Sequence, residues 1–447
     1  AGYASDWTHR YVATPLAVVR PGSTDEVSRV MALAHETATP VVPVGGNTGL
    51  AGGTYARDAL MVSLDRMNRI VEIRPEARVA VVQAGVILAS LHAASEEQGL
   101  VFPLTFGARG SAMIGGALST NAGGSNVVRY GSTRGLCMGL EVVLPDGRVM
   151  DLMTELHKDN SGYDLKDLFI GAEGTLGLIT GAVLRLFPKP AAYATAMVAA
   201  PDLPQALTLL NRLQVATGGA VEAFEYMPAA YIAAHMAKFP GARAPFKTDY
   251  DVNIMVEVGA TAPRDATPRD DGSIPVVEHL EETLAALMET GEELDAVVAR
   301  NEAQRREMWQ RREDAAEVTL GRLPLINSDI AVPLDRTGDF LDRMEAALPG
   351  LDPGAEAMTV AHLGDGNLHY TVFPKSQDPV VHDRIIEMVE AVALSLGGSF
   401  SAEHGIGLSK KPSMARRKNP VALDVMRSIK AALDPKGIMN PGKVLPD

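Results

Sequence analysis

A single cysteine, Cys137, occurs among 447 residues. An intrachain disulfide framework and a cysteine-rich zinc site both need several thiols at set spacings, so neither is available, and a reducing compartment fits. Long apolar runs are also missing. Nothing approaches the roughly 20 residues needed to cross a bilayer, and the chain reads as soluble. An excess of basic charge is missing too: the formal charge is −14, and the one small basic cluster, Arg416-Arg417-Lys418, reads as a solvated helix end. Nucleic acid and anionic lipid select for clustered Lys and Arg, so both are disfavoured as partners. No signal peptide is visible. A cytoplasmic location is expected, or the mitochondrial matrix for a eukaryotic chain.

The length, with 46% apolar residues, points to two or three domains, two being favoured, with a large buried core. Ser23 and Glu26 form a capping-box pattern ahead of Val27, Val30, Met31 and Ala34, which share one helical stripe. The runs PVVPV at 40–44 and ALMVSL at 59–64 predict strands, and IVEIRPEARVAVV at 70–82 and LEVVLPDGRVMDL at 140–152 predict hairpins. Hairpins within an α/β pattern imply one mixed sheet. After LRLFPKP at 184–190 the composition becomes alanine-rich with helical patterns, which places a domain boundary near 190. The segment 259–275, rich in Pro, Asp and Gly, reads as an exposed loop, and 295–317 as a heavily charged helix. A last helix with Ala422, Met426, Ile429 and Leu433 on one face stops before Gly437.

Glycine is concentrated in three segments: PVGGNTGLAGG at 43–53, GARGSAMIGGALSTNAGGSNVVRYGSTRG at 107–135 and GAEGTLGLIT at 171–180. Glycine lets backbone amides approach and turn toward a diphosphate, so a bound nucleotide cofactor is the natural reading. None of the segments carries G-x-G-x-x-G at a strand-to-helix junction with a following acidic residue, and none matches a P-loop. A Rossmann NAD site and a kinase-type ATP site are disfavoured. One such segment alone is better read as an ordinary turn; three within one domain are not.

PVGGNTGLAGG, IGGALSTNAGGSNVVRYG at 114–131 and YDLKDLFIGAEGTLGLIT at 163–180 resemble the FAD-binding domain of the vanillyl-alcohol-oxidase superfamily. Within it they are similar to the branch of D-2-hydroxyglutarate dehydrogenase, D-lactate dehydrogenase and the glycolate oxidase catalytic subunit. The resemblance implies an α+β fold: a FAD-binding domain over 1–190, an α+β cap domain for substrate over 191–398, and a C-terminal segment, 399–447, that packs back on the FAD domain. Cofactor contacts carried over are Val44, Gly45, Gly46, Asn47, Thr48, Gly49 and Leu50; Gly115, Gly116, Ser119, Asn121, Ala122, Gly124 and Tyr130; Glu173, Gly174 and Ile179; and Asn440. Covalently flavinylated relatives carry histidine where this chain has Asn47, so FAD is expected to be non-covalent.

His362 and His369 flank Gly364-Asp365-Gly366. Seven residues apart, they would lie on opposite faces of a straight strand, about 23 Å apart, or about 10 Å apart along a helix. Only a chain folded back at the turn unites them, and two imidazoles with one carboxylate are a common catalytic set for zinc, also usable by manganese, cobalt or iron. The residues alone leave loop and ligand open. The resemblance assigns His362, His369 and Glu403 to a divalent metal, with zinc expected, and His404 to the catalytic base. It also places Arg312 on the substrate carboxylate, with Asn327, Thr371 and His404 as further substrate contacts. Relatives specific for the diacid carry threonine, lysine and asparagine where this chain has Ala316, Asn327 and Thr371. D-2-hydroxyglutarate, D-lactate, glycolate and D-malate therefore stay open.

The resemblance implies FAD-dependent, metal-assisted oxidation of a D-2-hydroxy acid to the 2-oxo acid. Electrons would pass to an electron-transfer flavoprotein or quinone, and a homodimer is compatible. Two alternatives stay open: a non-redox, alkyl-transferring flavoenzyme of the same superfamily, and the catalytic subunit of a glycolate oxidase-like complex.

Overall fold

In the computed structural model, which describes residues 2–447, Ser23 caps the helix Thr24–Glu36, its hydroxyl accepting from the Glu26 amide at 3.2 Å. The Glu26 carboxylate reaches back to the Gly22 amide at 2.7 Å, and Val27, Met31 and Ala34 form the buried stripe. The β-branched runs become β1 (Ala17–Val19), β2 (Val41–Val44) and β3 (Leu60–Ser63), a parallel sheet in the order β1-β3-β2. The two hairpins are β4 (Ile70–Arg74) with β5 (Val79–Gln83), and β6 (Cys137–Val143) with β7 (Val149–Leu152). They do not join the parallel strands. β8 (Leu178–Arg185) lies antiparallel between β5 and β6, giving a second sheet in the order β4-β5-β8-β6-β7. The expected single mixed sheet is thus two sheets. The physical reason is pairing length: β8 offers eight residues with partners on both sides, whereas the parallel strands offer three or four.

These elements belong to one compact unit, formed by residues up to Gly124, Gly131–Lys189 and Glu403–Asp447. The returning tail is stitched to β2, where the Val41 amide donates to the Ile438 carbonyl and the Asn440 amide to the Val41 carbonyl, both at 2.7 Å.

The second unit comprises Ser125–Tyr130 and Pro190–Ala402. Its strands are β9 (Ala192–Ala200), β10 (Val221–Pro228), β11 (Val252–Ala260), β12 (Asp295–Val298), β13 (Ile326–Ala331), β14 (Glu356–His362) and β15 (Asn367–Phe373). They form one antiparallel sheet in the order β12-β9-β11-β10-β14-β15-β13. One face packs on the helices Leu203–Ala216, Pro275–Glu289, Thr337–Leu351 and Pro379–Ser395. The other face packs on Ala229–Lys238, Glu302–Glu313 and Ala315–Leu320.

Four sequence expectations change here. The alanine-rich stretch after 190 begins as β9, because a strand covered on both faces takes small residues without alternation, and eight of its nine residues are buried. Residues 295–317 are not one helix: Asp295–Val298 is the edge strand β12, and the helix starts only where Asn301 accepts from the Gln304 amide at 3.0 Å. The loop 259–275 contains a short helix, Pro263–Ala266. The segment Ser125–Tyr130, expected in the first domain, groups with the second unit because Arg129 Nη1 donates to Glu222 Oε1 at 2.8 Å and to the Gly259 carbonyl at 2.7 Å.

One buried group makes the second unit's stability pH-dependent. Glu293 is 3% exposed and both its carboxylate oxygens lack a hydrogen-bond partner among the described residues. Burial, with Glu292 and Asp202 nearby, pushes its carboxyl up to about 8. A raised carboxyl binds its proton more tightly in the folded than in the unfolded chain, so its contribution is complete below the ordinary carboxylate range and is lost as pH rises toward 8. Glu293→Gln, which cannot ionise, is expected to raise Tm by a few degrees at pH 8.5 and to leave it unchanged at pH 4; thermal melts at the two pH values test this.

Candidate functional site

Within the first unit the three glycine segments converge. The Glu173 amide donates to the Ser119 carbonyl at 2.8 Å, and the Gly171 amide to the Leu118 carbonyl at 3.0 Å. Asn440 Nδ2 donates to the carbonyls of Gly53, at 3.1 Å, and Glu173, at 2.8 Å. At this junction four non-glycine residues hold left-handed backbone: Asn47 (φ 52°), Asn121 (φ 48°), Glu173 (φ 52°) and Asn440 (φ 40°). Such conformations are costly and cluster where amides are turned toward a ligand. Gly46 is sterically required, since a Cβ there would lie 2.0 Å from the Ser111 carbonyl oxygen. At Gly49 and Gly116 the Cβ direction is open, with nothing within 4 Å. Val44 ends β2, Gly45 approaches Met113 and Gly116, Thr48 is half-buried and Leu50 is exposed. A Cβ on Gly115 would meet Ala84, one on Gly124 the Thr105 carbonyl, and one on Gly174 Pro43. Ser119 Oγ donates to the Gly115 carbonyl at 2.7 Å, the Ala122 carbonyl accepts from Thr133, and Ile179 is buried in β8. Tyr130 belongs to the second unit, where its hydroxyl donates to Glu222 at 2.6 Å.

The Glu173 side chain has a specific task. Its carboxylate accepts from the amides of Ile406, at 2.7 Å, and Gly407, at 2.8 Å. Gly405, at φ 74°, passes so close that a Cβ would lie 2.7 Å from Glu173 Oε1. The loop that follows Glu403 and His404 is thereby anchored. Burial raises the Glu173 carboxyl while these two amides and Lys410 oppose the rise.

Within the second unit, β14 and β15 form the hairpin around Gly364-Asp365-Gly366. Gly366 holds φ 80°, and a Cβ there would strike the Val332 carbonyl at 2.2 Å. The turn brings the two imidazoles together edge to face, with centroids 5.3 Å apart. Burial pushes the Asp365 carboxyl up to about 6, with His362 and the Asn367 amide opposing.

Two carboxylates stand behind these rings. Glu225 on β10 is the register partner of His362, and its Oε1 accepts from His362 Nδ1 at 2.8 Å. Its Oε2 accepts from Arg312 Nε at 2.7 Å. Glu225 is wholly buried; burial opposes its ionisation, but His362 and Arg312 together hold its carboxyl down to about 2. An ionised carboxylate only accepts, so Nδ1 of His362 carries a proton in this pair. Asp329, the register partner of His369, lies 3.8 Å from His369 Nδ1, and its Oδ1 is held by Asn367 Nδ2 at 2.9 Å.

Arg312 extends from the helix Glu302–Glu313. Its Nη2 is buried and has no hydrogen-bond partner among the described residues. A buried guanidinium nitrogen without an acceptor is costly, and a ligand carboxylate would satisfy it. Asn327 and Thr371 are register partners on β13 and β15; Asn327 is exposed and Thr371 buried. Glu403 and His404 follow directly on Ala402, whose amide donates to the Asp329 carbonyl at 3.3 Å. Sequence reasoning missed Glu225. Its signal was available: two glutamates, at 222 and 225, interrupt an otherwise apolar strand that is buried on both faces.

Comparison with known proteins gives the following. Residues 189–444 match the family described as FAD linked oxidases, C-terminal domain, and residues 15–153 match the FAD binding domain. The chain is 36% identical to the mitochondrial D-2-hydroxyglutarate dehydrogenase of Bos taurus, over 99% of this chain and 79% of the relative. It is 36% identical to D-2-hydroxyglutarate dehydrogenase of Xanthomonas citri pathovar viticola, over 99% and 92%. Among solved structures, p-cresol methylhydroxylase with substrate bound aligns with a TM-score of 0.70 at 15% identity, over 95% of this chain and 88% of the other. An alkyldihydroxyacetonephosphate synthase aligns at 0.69 and 19%, over 96% and 77%.

Proposed function

The chain belongs to the FAD-linked oxidases, and from that premise we propose that it oxidises a D-2-hydroxy acid, D-2-hydroxyglutarate foremost, to the 2-oxo acid. The observation that carries the reading is Arg312 Nη2, buried and without a hydrogen-bond partner among the described residues, on a side chain held by the same buried carboxylate that holds His362. When bound, FAD supplies the hydride acceptor, and a divalent metal, zinc being expected, supplies Lewis acidity at the substrate hydroxyl. Every other task falls to side chains of this chain.

His362 and His369 present imidazoles at close range, and Glu403 completes the ligand set with the third, anionic donor. Arg312 takes the substrate carboxylate through Nη2 and keeps the fork oriented by its Nε bond to Glu225. His404 accepts the hydroxyl proton. The glycine cradle of the first unit, with Asn47 in place of a histidine, holds FAD non-covalently. Ala316, Asn327 and Thr371 supply no cation for a second carboxylate, so the distal end of a diacid is held by neutral donors. Electrons leave to an electron-transfer flavoprotein or a quinone rather than to oxygen.

The deciding experiment is anaerobic mixing of the purified protein with D- and L-2-hydroxyglutarate, lactate, malate and tartrate, and with glycolate. Bleaching of the flavin by D but not L acids is expected, fastest with D-2-hydroxyglutarate. No bleaching by any of them would overturn the reading and leave the alkyl-transfer alternative. Turnover with an artificial dye acceptor would show that the chain acts without further subunits.

Gly46→Ala tests the cradle separately. With the new methyl forced against the Ser111 carbonyl, the loop must move, and the protein is expected to purify without flavin while keeping its circular dichroism.

A further inference from the structure

The two sides of the proposed chemistry share one buried carboxylate. Glu225 Oε1 accepts from His362 Nδ1 at 2.8 Å while Oε2 accepts from Arg312 Nε at 2.7 Å. Nothing of Glu225 is exposed, so it touches neither solvent nor substrate directly. We propose that Glu225 is a positioning residue that fixes the ligand tautomer of His362 and the orientation of the Arg312 fork at once, so that metal affinity and substrate affinity are set by the same side chain. The inference rests on the metal and substrate roles given above.

The chemistry follows from the donor inventory. A carboxylate offers acceptors at both ends, which suits two N–H groups approaching from different elements, one from β14 and one from the helix Glu302–Glu313. Accepting at Nδ1 raises the basicity of the opposite ring nitrogen and holds the ring plane, as partners behind metal-bound histidines do. At Arg312 the same carboxylate removes one donor from the competition and leaves Nη2 without a partner among the described residues. Glutamine is the sharp test, because its amide end is a donor and must face either His362 or Arg312. Facing Arg312 it makes a donor-to-donor contact; facing His362 it is accepted only by the tautomer that carries its proton on Nε2, the nitrogen needed for the metal.

A nearby residue separates positioning from mere stabilisation. Glu257, on the adjacent strand β11 and equally buried, is held by Thr195, Arg305 and Trp309, at 2.6 to 2.8 Å, and touches none of the site residues. Glu257→Gln removes a buried carboxylate of the same kind from the same sheet face.

The experiment measures zinc affinity of metal-stripped FAD-loaded protein by competition with a chromogenic chelator, and KM for the D-2-hydroxy acid. Glu225→Gln is expected to weaken zinc by about 10- to 100-fold and to raise KM, whereas Glu257→Gln lowers Tm and moves neither. Wild-type zinc affinity and KM in Glu225→Gln would overturn the proposal, as would equal losses in Glu257→Gln. If Glu225→Gln does not fold, histidine nitrogen NMR on the metal-stripped wild type decides instead: a proton on Nδ1 of His362 is expected, and one on Nε2 overturns the proposal. A wild type that binds no zinc but reduces its flavin normally overturns the metal role itself, a result distinct from a wild type that binds zinc and a variant that binds it equally well.

Discussion

His404→Ala is expected to slow anaerobic reduction of the flavin by about 100-fold or more, the usual scale for loss of a general base, with FAD and metal content unchanged. The loop that carries His404 is anchored just downstream, where Glu173 holds the amides of Ile406 and Gly407, and just upstream, where the Ala402 amide meets the Asp329 carbonyl. Both anchors are backbone amides of neighbouring residues, Ala402 on one side and Ile406 and Gly407 on the other. The defect should shrink as pH rises, because a more abundant hydroxide can take over proton removal. Stopped-flow reduction across pH measures both effects. A wild-type rate would sink the base assignment, and loss of FAD or metal would show that the ring holds structure.

The second large effect is expected at His362→Ala: loss of bound metal in elemental analysis and loss of most of the turnover, with flavin retained. Truncation also strips Glu225 of one of its two N–H partners and leaves that buried carboxylate supported by Arg312 alone. Leaving a buried carboxylate short of one hydrogen bond costs about 1–3 kcal/mol, so Tm should fall as well. His369→Ala separates the two causes, because its ring lies 3.8 Å from Asp329, a carboxylate already held by Asn367. That variant should lose metal with the smaller loss of Tm. Full metal occupancy in either variant would remove that histidine from the ligand set.

Much of the molecule was legible in the sequence because local rules wrote it. The Ser23 cap, both hairpins and the final helix follow from residues within a few positions of one another. The glycine segments pointed to a cofactor cradle, and the parity of His362 and His369 required a fold-back at Gly364-Asp365-Gly366, which the β14–β15 hairpin supplies. The failures were non-local. Ala192–Ala200 reads as helix by propensity and is a strand, because a sheet covered on both faces rewards small buried residues whatever their helical preference. Residues Ser125–Tyr130 leave the first unit because a buried Arg129–Glu222 pair on another element outweighs chain continuity.

The sequence by itself pointed to a nucleotide cofactor through three glycine segments, while one cysteine and an acidic charge disfavoured a disulfide framework and a nucleic-acid partner; the metal, base and carboxylate roles came from the resemblance. Tertiary structure alone decided which carboxylate stands behind which ring. Glu225 lies 137 positions from His362 and 87 from Arg312, and strand register, not spacing, joins them. A buried charge is tolerated only where partners converge on it, and that convergence is a property of the folded sheet that no local pattern encodes.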